Sequence, residues 1–231
     1  LAQLVTLKGG PAPRRGNEMA DLGVIENGSI IIRAENVDWV GPTRDLPVHE
    51  PGVRYRTLDC LGLDIMAMPG FVDGHTHPIF AGTRAGEYSL RAQGRTYAEI
   101  AAAGGGIRAS VRQVRAATLS QLVESAERYF SQFLAHGTTS IEAKSGYGLS
   151  FEDEVKMLQA IAQLRGRNRL ETFPTFLGAH DVPDESRSNR GEYVRLLVEE
   201  MIPGVAREGL AQFCDVFCDI GYFTVDEART I

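Results

Sequence analysis

The sequence predicts an α/β protein, the first half of a (β/α)8 TIM-like barrel preceded by a small β-sandwich-like segment. Three observations carry that reading. Residues 1–64 read as strands and turns, whereas over 65–231 strands alternate with amphipathic helices, the pattern of about four parallel βα units. Polar residues gather just after the predicted strands (His75, His77, Tyr147, His180), the end at which such barrels build their sites. No dinucleotide fingerprint follows the first of these strands, because "AAAGGGI" is a plain glycine run; this counts against an open doubly wound sheet.

In the N-terminal segment, "SIIIRAENVDWVG" reads as a strand, a turn around Glu35-Asn36, and a second strand ending at Gly41. "VRYRTLDC" alternates like a further strand. Pro and Gly in "GGPAPRRG" and "GPTRDLPVHEPG" mark the turns. In the second segment, "IMAMPGFVDGHTH" supplies a strand and its exit, followed by a long loop carrying Arg84 and Arg91. "LSQLVESAERYFSQFLAHG" is a helix with one apolar face, a capping box at Thr118 and Gln121, and a stop at Gly137. "TTSIEAKSGYG" is the next strand and loop. Ser150 caps "FEDEVKMLQAIAQLRG", whose apolar stripe is read as Phe151, Val155, Leu158 and Ala162. "LETFPTFLGAH" is a third strand, and "GEYVRLLVEEMIPGVAREG" a helical stretch that Pro203 kinks or divides. "FCDVFCD" is a fourth strand and "TVDEARTI" opens a fourth helix.

With 231 residues, 43% of them hydrophobic, the chain has ample material for a core. Its net charge of −6 and lack of a Lys/Arg block argue against a nucleic-acid partner. No run approaches the ~18 apolar residues of a membrane span, and the start lacks the order of a secretory signal. The expectation is a cytoplasmic protein with no membrane partner. Cys60, Cys214 and Cys218 read as reduced core cysteines; the last two share a strand face but stand too far apart for a disulfide. The chain begins at Leu1 without methionine, and a barrel needs ~250 residues. It is therefore expected to be truncated, with the missing half beyond Ile231, since half a barrel leaves two edges unpaired.

The chemistry centres on "MPGFVDGHTHPIF". On a strand, positions i and i+2 point the same way, so His75 and His77 converge while Thr76 points elsewhere. Neutral imidazole is a favoured zinc ligand, and a catalytic zinc usually keeps three protein ligands and a water. A bare His-x-His also suits two histidines merely hydrogen-bonded at a strand end; its place after Pro-Gly-Phe-Val-Asp favours the metal. Asp73 either orients a ligand imidazole or serves a turn. The fork of Arg84 or Arg91 suits a substrate carboxylate, although loop arginines are mostly solvated. Tyr97 reads as packing. Tyr147 sits between Gly146 and Gly148, which allow a tight turn over the strand ends. His180 gains weight from the company of the first two histidines. Glu142 and Lys144 share a face, better read as an internal salt bridge than as a carbamylated lysine bridging two metals. His49 and His136 are assigned no role.

Several separate segments resemble the imidazolonepropionase family of the amidohydrolase superfamily. They are "PGFVDGHTHPIFAGTRAGEYSLRAQGRTYAEIAAAGGGI", "IEAKSGYGL", "TFLGAHDVP" and "VEEMIPGVAREGLAQFCDVFCD". The likeness is specific from about Met66 to Asp219 and general over the N-terminal part. It implies an amidohydrolase barrel that hydrolyses a cyclic amide, 4-imidazolone-5-propanoate, to N-formimidoyl-L-glutamate in histidine degradation. It also implies one metal per site, zinc (Zn2+) or iron (Fe3+), with His75 and His77 as its first two ligands. Arg84, Tyr147 and His180, and less firmly Tyr97, match substrate-contacting positions. A mononuclear site leaves Lys144 no bridging role. The remaining metal ligands and the catalytic residues are expected beyond Ile231, so this chain alone is expected to be inactive. The family is compatible with a homodimer. The rival readings are a two-metal cyclic-amide hydrolase with carbamylated Lys144, and a non-catalytic scaffold that keeps half the site.

Overall fold

The apolar run before His75, read from the sequence as one strand, is two short strands separated by Pro69-Gly70. Proline has no N–H to give a ladder, so pairing stops there. The computed structural model describes residues 1–9, 13–48, 51–60 and 62–231, leaving aside the side chains of Tyr97, Ala98 and Ala101. His49 lies outside the described residues. The chain divides into two compact units, Leu1–Gly70 and Phe71–Ile231.

In the first unit the strands are β1 (Gln3–Val5), β2 (Val24–Glu26), β3 (Gly28–Arg33), β4 (Asn36–Pro42) and β5 (Met66–Ala67). β1 pairs antiparallel with β2 and parallel with β5. β3 and β4 form the expected hairpin; Asn36 pairs with Arg33, so Ala34 and Glu35 make the turn. Ala34 takes a left-handed φ of 55° there. The expected strand over 53–60 does not form, and its side chains are exposed up to Cys60. Alternation shows that a segment could line a sheet; a strand also needs a neighbour for its N–H and C=O groups.

The second unit is built on a parallel sheet in the order β6 (Phe71–Thr76), β7 (Thr138–Lys144), β8 (Glu171–Ala179), β9 (Phe213–Val216). The stretch after β6, read from the sequence as a loop, holds three helices: α1 (Ala85–Ala92), α2 (Tyr97–Ala102) and α3 (Ile107–Ala116). Gly94 and the run Gly104–Gly106 cut it into pieces too short to display a long apolar period. α3 nevertheless buries Ile107, Ser110, Val111 and Val114, one helical face.

α4 (Leu119–Ala135) carries the expected capping box between Thr118 and Gln121, and Gly137 follows it at φ 85°. α5 (Phe151–Arg165) is capped by Ser150, which accepts the N–H of Asp153. Its stripe differs from the expected one. Ala162 is exposed, and the buried arc is Met157, Leu158, Ala160, Ile161 and Leu164 together with Glu154. The apolar residues chosen from the sequence trace one edge of that wider arc. α6 (Arg190–Leu196) and α7 (Ile202–Glu208) are joined through a π-helical turn, Leu197–Met201. Pro203 stands in the first turn of α7, where its missing N–H and its ring are accommodated by widening the turn before it. α8 (Val225–Thr230) has its own capping box, Thr224 with Glu227.

α4 and α5 cover one face of the sheet, with Leu122, Phe130, Leu158 and Ile161 packed against Ile141 and Ala143 of β7 and Phe176 of β8 in one core. The alternate β7 residues, Glu142 and Lys144, stand on the opposite face. β6 and β9 are the outer strands, and Phe71, Val72 and Phe213 on them are exposed. The three cysteines are free, but they are not core residues: Cys60 is partly exposed, and Cys214 and Cys218 are exposed on and beyond the outer strand β9. Among the described residues no helix is long and apolar enough to cross a membrane.

Core and cap should differ in weight. Phe130, fully buried, should cost about 3–5 kcal/mol on Phe130→Ala through its cavity, against about 1 kcal/mol for Thr118→Ala at the cap. Urea denaturation of the two variants measures the difference; equal losses would contradict the placement of Phe130.

Candidate active site

The carboxyl end of β6 does not run straight. Asp73 faces Ile141 and Thr76 faces Ala143, three steps on one strand against two on its neighbour. A bulge of this kind re-aims the side chains beyond it. Thr76 Oγ1 then donates to the Glu142 carbonyl at 2.6 Å, fixing the strand end. His75 is exposed and His77 half-buried, with ring centroids 5.4 Å apart at 64°. The expected convergence of the two rings is met. Asp73 takes the local role: it accepts the backbone N–H of His75 at 3.3 Å.

His77 is the hub. Its ring stacks on His180 at 4.9 Å and 11°, and lies 5.3 Å from Tyr147, which is 5.2 Å from His180. Phe217 and Tyr222, unnoticed in the sequence, extend the aromatic wall from His180. Burial first, then the neighbouring His180, His75 and Lys144, lower the pKa of His77 to about 3. Burial likewise lowers that of His180, partly opposed by its bond to Gly146. Both rings are therefore neutral near pH 7. His180 Nδ1 lies 2.8 Å from the Gly146 carbonyl. A carbonyl can only accept, so Nδ1 carries the proton and Nε2 keeps its lone pair.

The two glycines flanking Tyr147 are set by close approach. Gly146 has φ 107°, and a Cβ there would meet His180 Nδ1 at 2.9 Å. At Gly148 a Cβ would lie 2.5 Å from the backbone nitrogen of Glu154. The loop thus presses against His180 on one side and the start of α5 on the other. Glu154, fully buried, accepts the N–H groups of Gly146, Gly148 and Leu149 at 2.8–2.9 Å. Burial pushes its carboxyl up, while bonds from Ser145 and these amides favour the charged form. The sequence did carry a sign of it: Glu154, Leu158 and Ile161 follow an i, i+4, i+7 spacing, so a glutamate occupies the apolar stripe.

Lys144 is an ammonium between two carboxylates. Its Nζ donates to Glu142 Oε1 at 2.9 Å and Asp215 Oδ2 at 2.7 Å, and Thr175 Oγ1 donates to the same Glu142 oxygen at 2.6 Å. Burial alone would lower the Lys144 pKa, but Asp215 and Glu142 carry it above 10.5. For Asp215, burial is outweighed by the Lys144 bond, and its pKa falls below 3.8. A charged lysine is no candidate for carbamylation, so the salt-bridge reading is the one the geometry supports. Asp215 was missed because the sequence does not say which strand lies beside which.

Arg84 precedes α1 and pairs with Glu87 at 3.7 Å. Its charge reaches His180, where it acts to lower the pKa. Arg91 lies within α1 and is exposed. Tyr97 opens α2, and its side chain lies outside the described residues. His136 ends α4, its Nδ1 2.8 Å from the Gln132 carbonyl.

His77 Nδ1 is buried without a hydrogen-bond partner, an atom that either pays for its burial or has a further ligand. His75 and His77 bring two imidazoles side by side, the donor type a zinc or iron ion takes. Among the described residues no group of three or more His, Cys, Asp or Glu side chains is placed to complete one.

The parallel β/α sheet collects imidazoles and a phenol beyond its strand ends, the place where α/β folds of this kind carry their sites. Comparison with known proteins narrows the class. The chain is 50% identical over 232 residues to an imidazolonepropionase of Solibacter usitatus, covering 99% of this chain and 54% of that protein. It is 50% identical over 231 residues to one of Symbiobacterium thermophilum (99% and 53%). It is 46% identical over 230 residues to one of Geobacillus kaustophilus (98% and 54%). No family model matches the chain. Over the stretch it shares with these proteins, the chain belongs to the imidazolonepropionase family. It spans about half the length of the curated relatives it matches.

Two outcomes follow from the electrostatics. In metal-free protein, His77 ring resonances followed by NMR should hold their neutral positions until about pH 3; a midpoint near 6.5 would show an open, solvated ring. Because the unfolded chain takes up that proton first, this histidine's contribution to stability is lost as pH falls from about 6.5 towards 3. Lys144→Met should cost about 1–3 kcal/mol, tempered by the 41% exposure of the Asp215 side chain. The gap from wild type should be constant near neutrality. It should narrow as acid passes the lowered pKa of Asp215 and as alkali passes the raised pKa of Lys144. Urea denaturation across pH tests this; a pH-independent gap would mean the triad carries no charge.

Proposed function

We propose that the protein containing this chain is an imidazolonepropionase, a metal-dependent hydrolase that opens 4-imidazolone-5-propanoate to N-formimidoyl-L-glutamate in histidine degradation. The observation that carries the reading is the grouping of His77, Tyr147 and His180 within 4.9–5.3 Å beside His75. Family relationship along the whole chain supports it. In this reading the four-stranded parallel sheet is the first half of an eight-stranded amidohydrolase barrel, and the longer protein supplies the remaining metal ligands and catalytic groups. We place the protein in the cytoplasm, with a homodimer as its assembly.

His75 and His77 would hold one zinc or iron ion. When bound, such a metal lowers the pKa of a water and polarises a carbonyl. The chain's own residues bind and orient. Arg84, facing His180 electrostatically, pairs with the propanoate carboxylate. The neutral His180 presents a bare Nε2, because Nδ1–H is committed to Gly146. That lone pair suits an N–H of the substrate ring. Tyr147 offers a hydroxyl from the adjoining loop, and the Tyr97 position is a further substrate contact. The aromatic wall from His77 to Tyr222 offers apolar faces against which a flat ring packs.

The test uses the full-length protein, assayed by loss of 4-imidazolone-5-propanoate with elemental analysis on the same sample. About one zinc or iron per chain and turnover are expected. His77→Ala should lose the metal and, with it, at least about 10³-fold in activity, within the range that removal of a single acid–base group typically costs. Arg84→Ala should chiefly raise KM, since the carboxylate contact is made equally in ground and transition states. The 231-residue chain alone should show no turnover. A full-length protein that binds metal yet leaves this substrate intact would overturn the reading.

A further inference from the structure

The stretch Ser145–Leu149 that carries Tyr147 has no helix or ladder of its own, yet its backbone is held by two side chains. The Glu154 carboxylate takes its N–H groups: Gly146 on Oε2 at 2.9 Å, and Gly148 and Leu149 on Oε1 at 2.8 and 2.9 Å. The Arg115 guanidinium of α3 takes its carbonyls: Gly148 from Nε at 2.8 Å and Leu149 at 3.2 Å. Arg115 is anchored in turn by Glu185 at 2.7 Å. A buried carboxylate on an apolar helix face is costly unless its hydrogen bonds are made, and the three backbone bonds it makes here all go to this loop. Leu149 is held at a left-handed φ of 53°, which a leucine adopts only when its surroundings impose it.

What the loop delivers is specific. It sets Tyr147 against both His77 and His180. Through Gly146 it also sets His180, since the residue whose N–H is held by Glu154 is the one whose carbonyl accepts His180 Nδ1–H. We propose that Glu154, acting with Arg115 on the same loop, is a positioning residue that fixes the tautomer of His180 and the place of the Tyr147 hydroxyl for recognition of a cyclic amide bearing a ring N–H. The substrate class in this inference rests on the function proposed above; the positioning itself does not.

Glu154→Gln separates positioning from mere packing. The amide keeps the shape, and its oxygen still serves Gly148 and Leu149, but its NH2 would face the N–H of Gly146, donor against donor. In full-length protein we expect faster hydrogen exchange at Gly146 and a His180 15N spectrum changed from one Nδ1–H tautomer to a mixture. We expect unchanged metal content and a fall in kcat/KM of about 10²-fold, the scale of a small misplacement of a reacting group. Arg115→Lys, acting on the loop's carbonyls, should move the same readouts in the same direction. A folded, metal-loaded Glu154→Gln with a wild-type His180 tautomer and wild-type kinetics would overturn the proposal. If Glu154→Gln fails to fold, an Arg115→Lys protein indistinguishable from wild type in both respects would do so. If the wild-type protein leaves 4-imidazolone-5-propanoate intact, the function proposed above fails, and the His180 tautomer in Glu154→Gln alone still decides the positioning.

Discussion

The second unit depends on the two-residue period of β7. Ile141 and Ala143 point under the helices and join the core, while Glu142 and Lys144 point to the other face. One strand thereby fixes both where apolar burial is gained and where charge must be satisfied. Because Lys144 is buried on that polar face, it needs partners, and it finds them on its own strand and on β9. The resulting triad ties non-adjacent strands together across β8, whose Thr175 adds a bond to the same carboxylate. Charge of this kind contributes specificity of arrangement more surely than net stability.

Beyond Lys144 the same strand passes directly into the loop that carries Tyr147. The loop is irregular, so every polar group it buries must be met from outside the ladder. Glu154 and Arg115 meet them, and His180 uses one of its carbonyls to fix its own proton. Structural satisfaction and the presentation of a defined lone pair are the same set of hydrogen bonds. The neutrality of His77 and His180 has the same origin, burial in a cluster of rings, which disfavours a proton on either ring and leaves each a lone pair.

Much of the scaffold was legible in local chemistry. The capping box of Thr118 and Gln121, the Ser150 cap, the glycine stop after α4 and the proline within the α6–α7 stretch all act through groups within a few residues. The errors have a common cause. The segment 53–60 alternates but forms no strand among the described residues, the run before His75 is split by Pro69-Gly70, and the helices after β6 are too fragmented by glycine to show their period. At the site, His75, His77, Tyr147 and His180 were visible because each follows a strand or a turn signal. Asp215, Arg115 and Phe217 were not, because their meaning lies in neighbours distant in sequence.

The sequence by itself determined the alternation of strands and helices, both ends of α4 and the start of α5, and the residue types at the strand exits, since these follow from periods and caps that are local. Only the tertiary structure decided that His77 stacks on His180, that Lys144 is neutralised by Asp215, and that Glu154 faces a loop rather than solvent. Those are pairings across strands and elements, and their physical reason is burial: a polar atom removed from water must be met by whichever group the fold brings within about 3 Å.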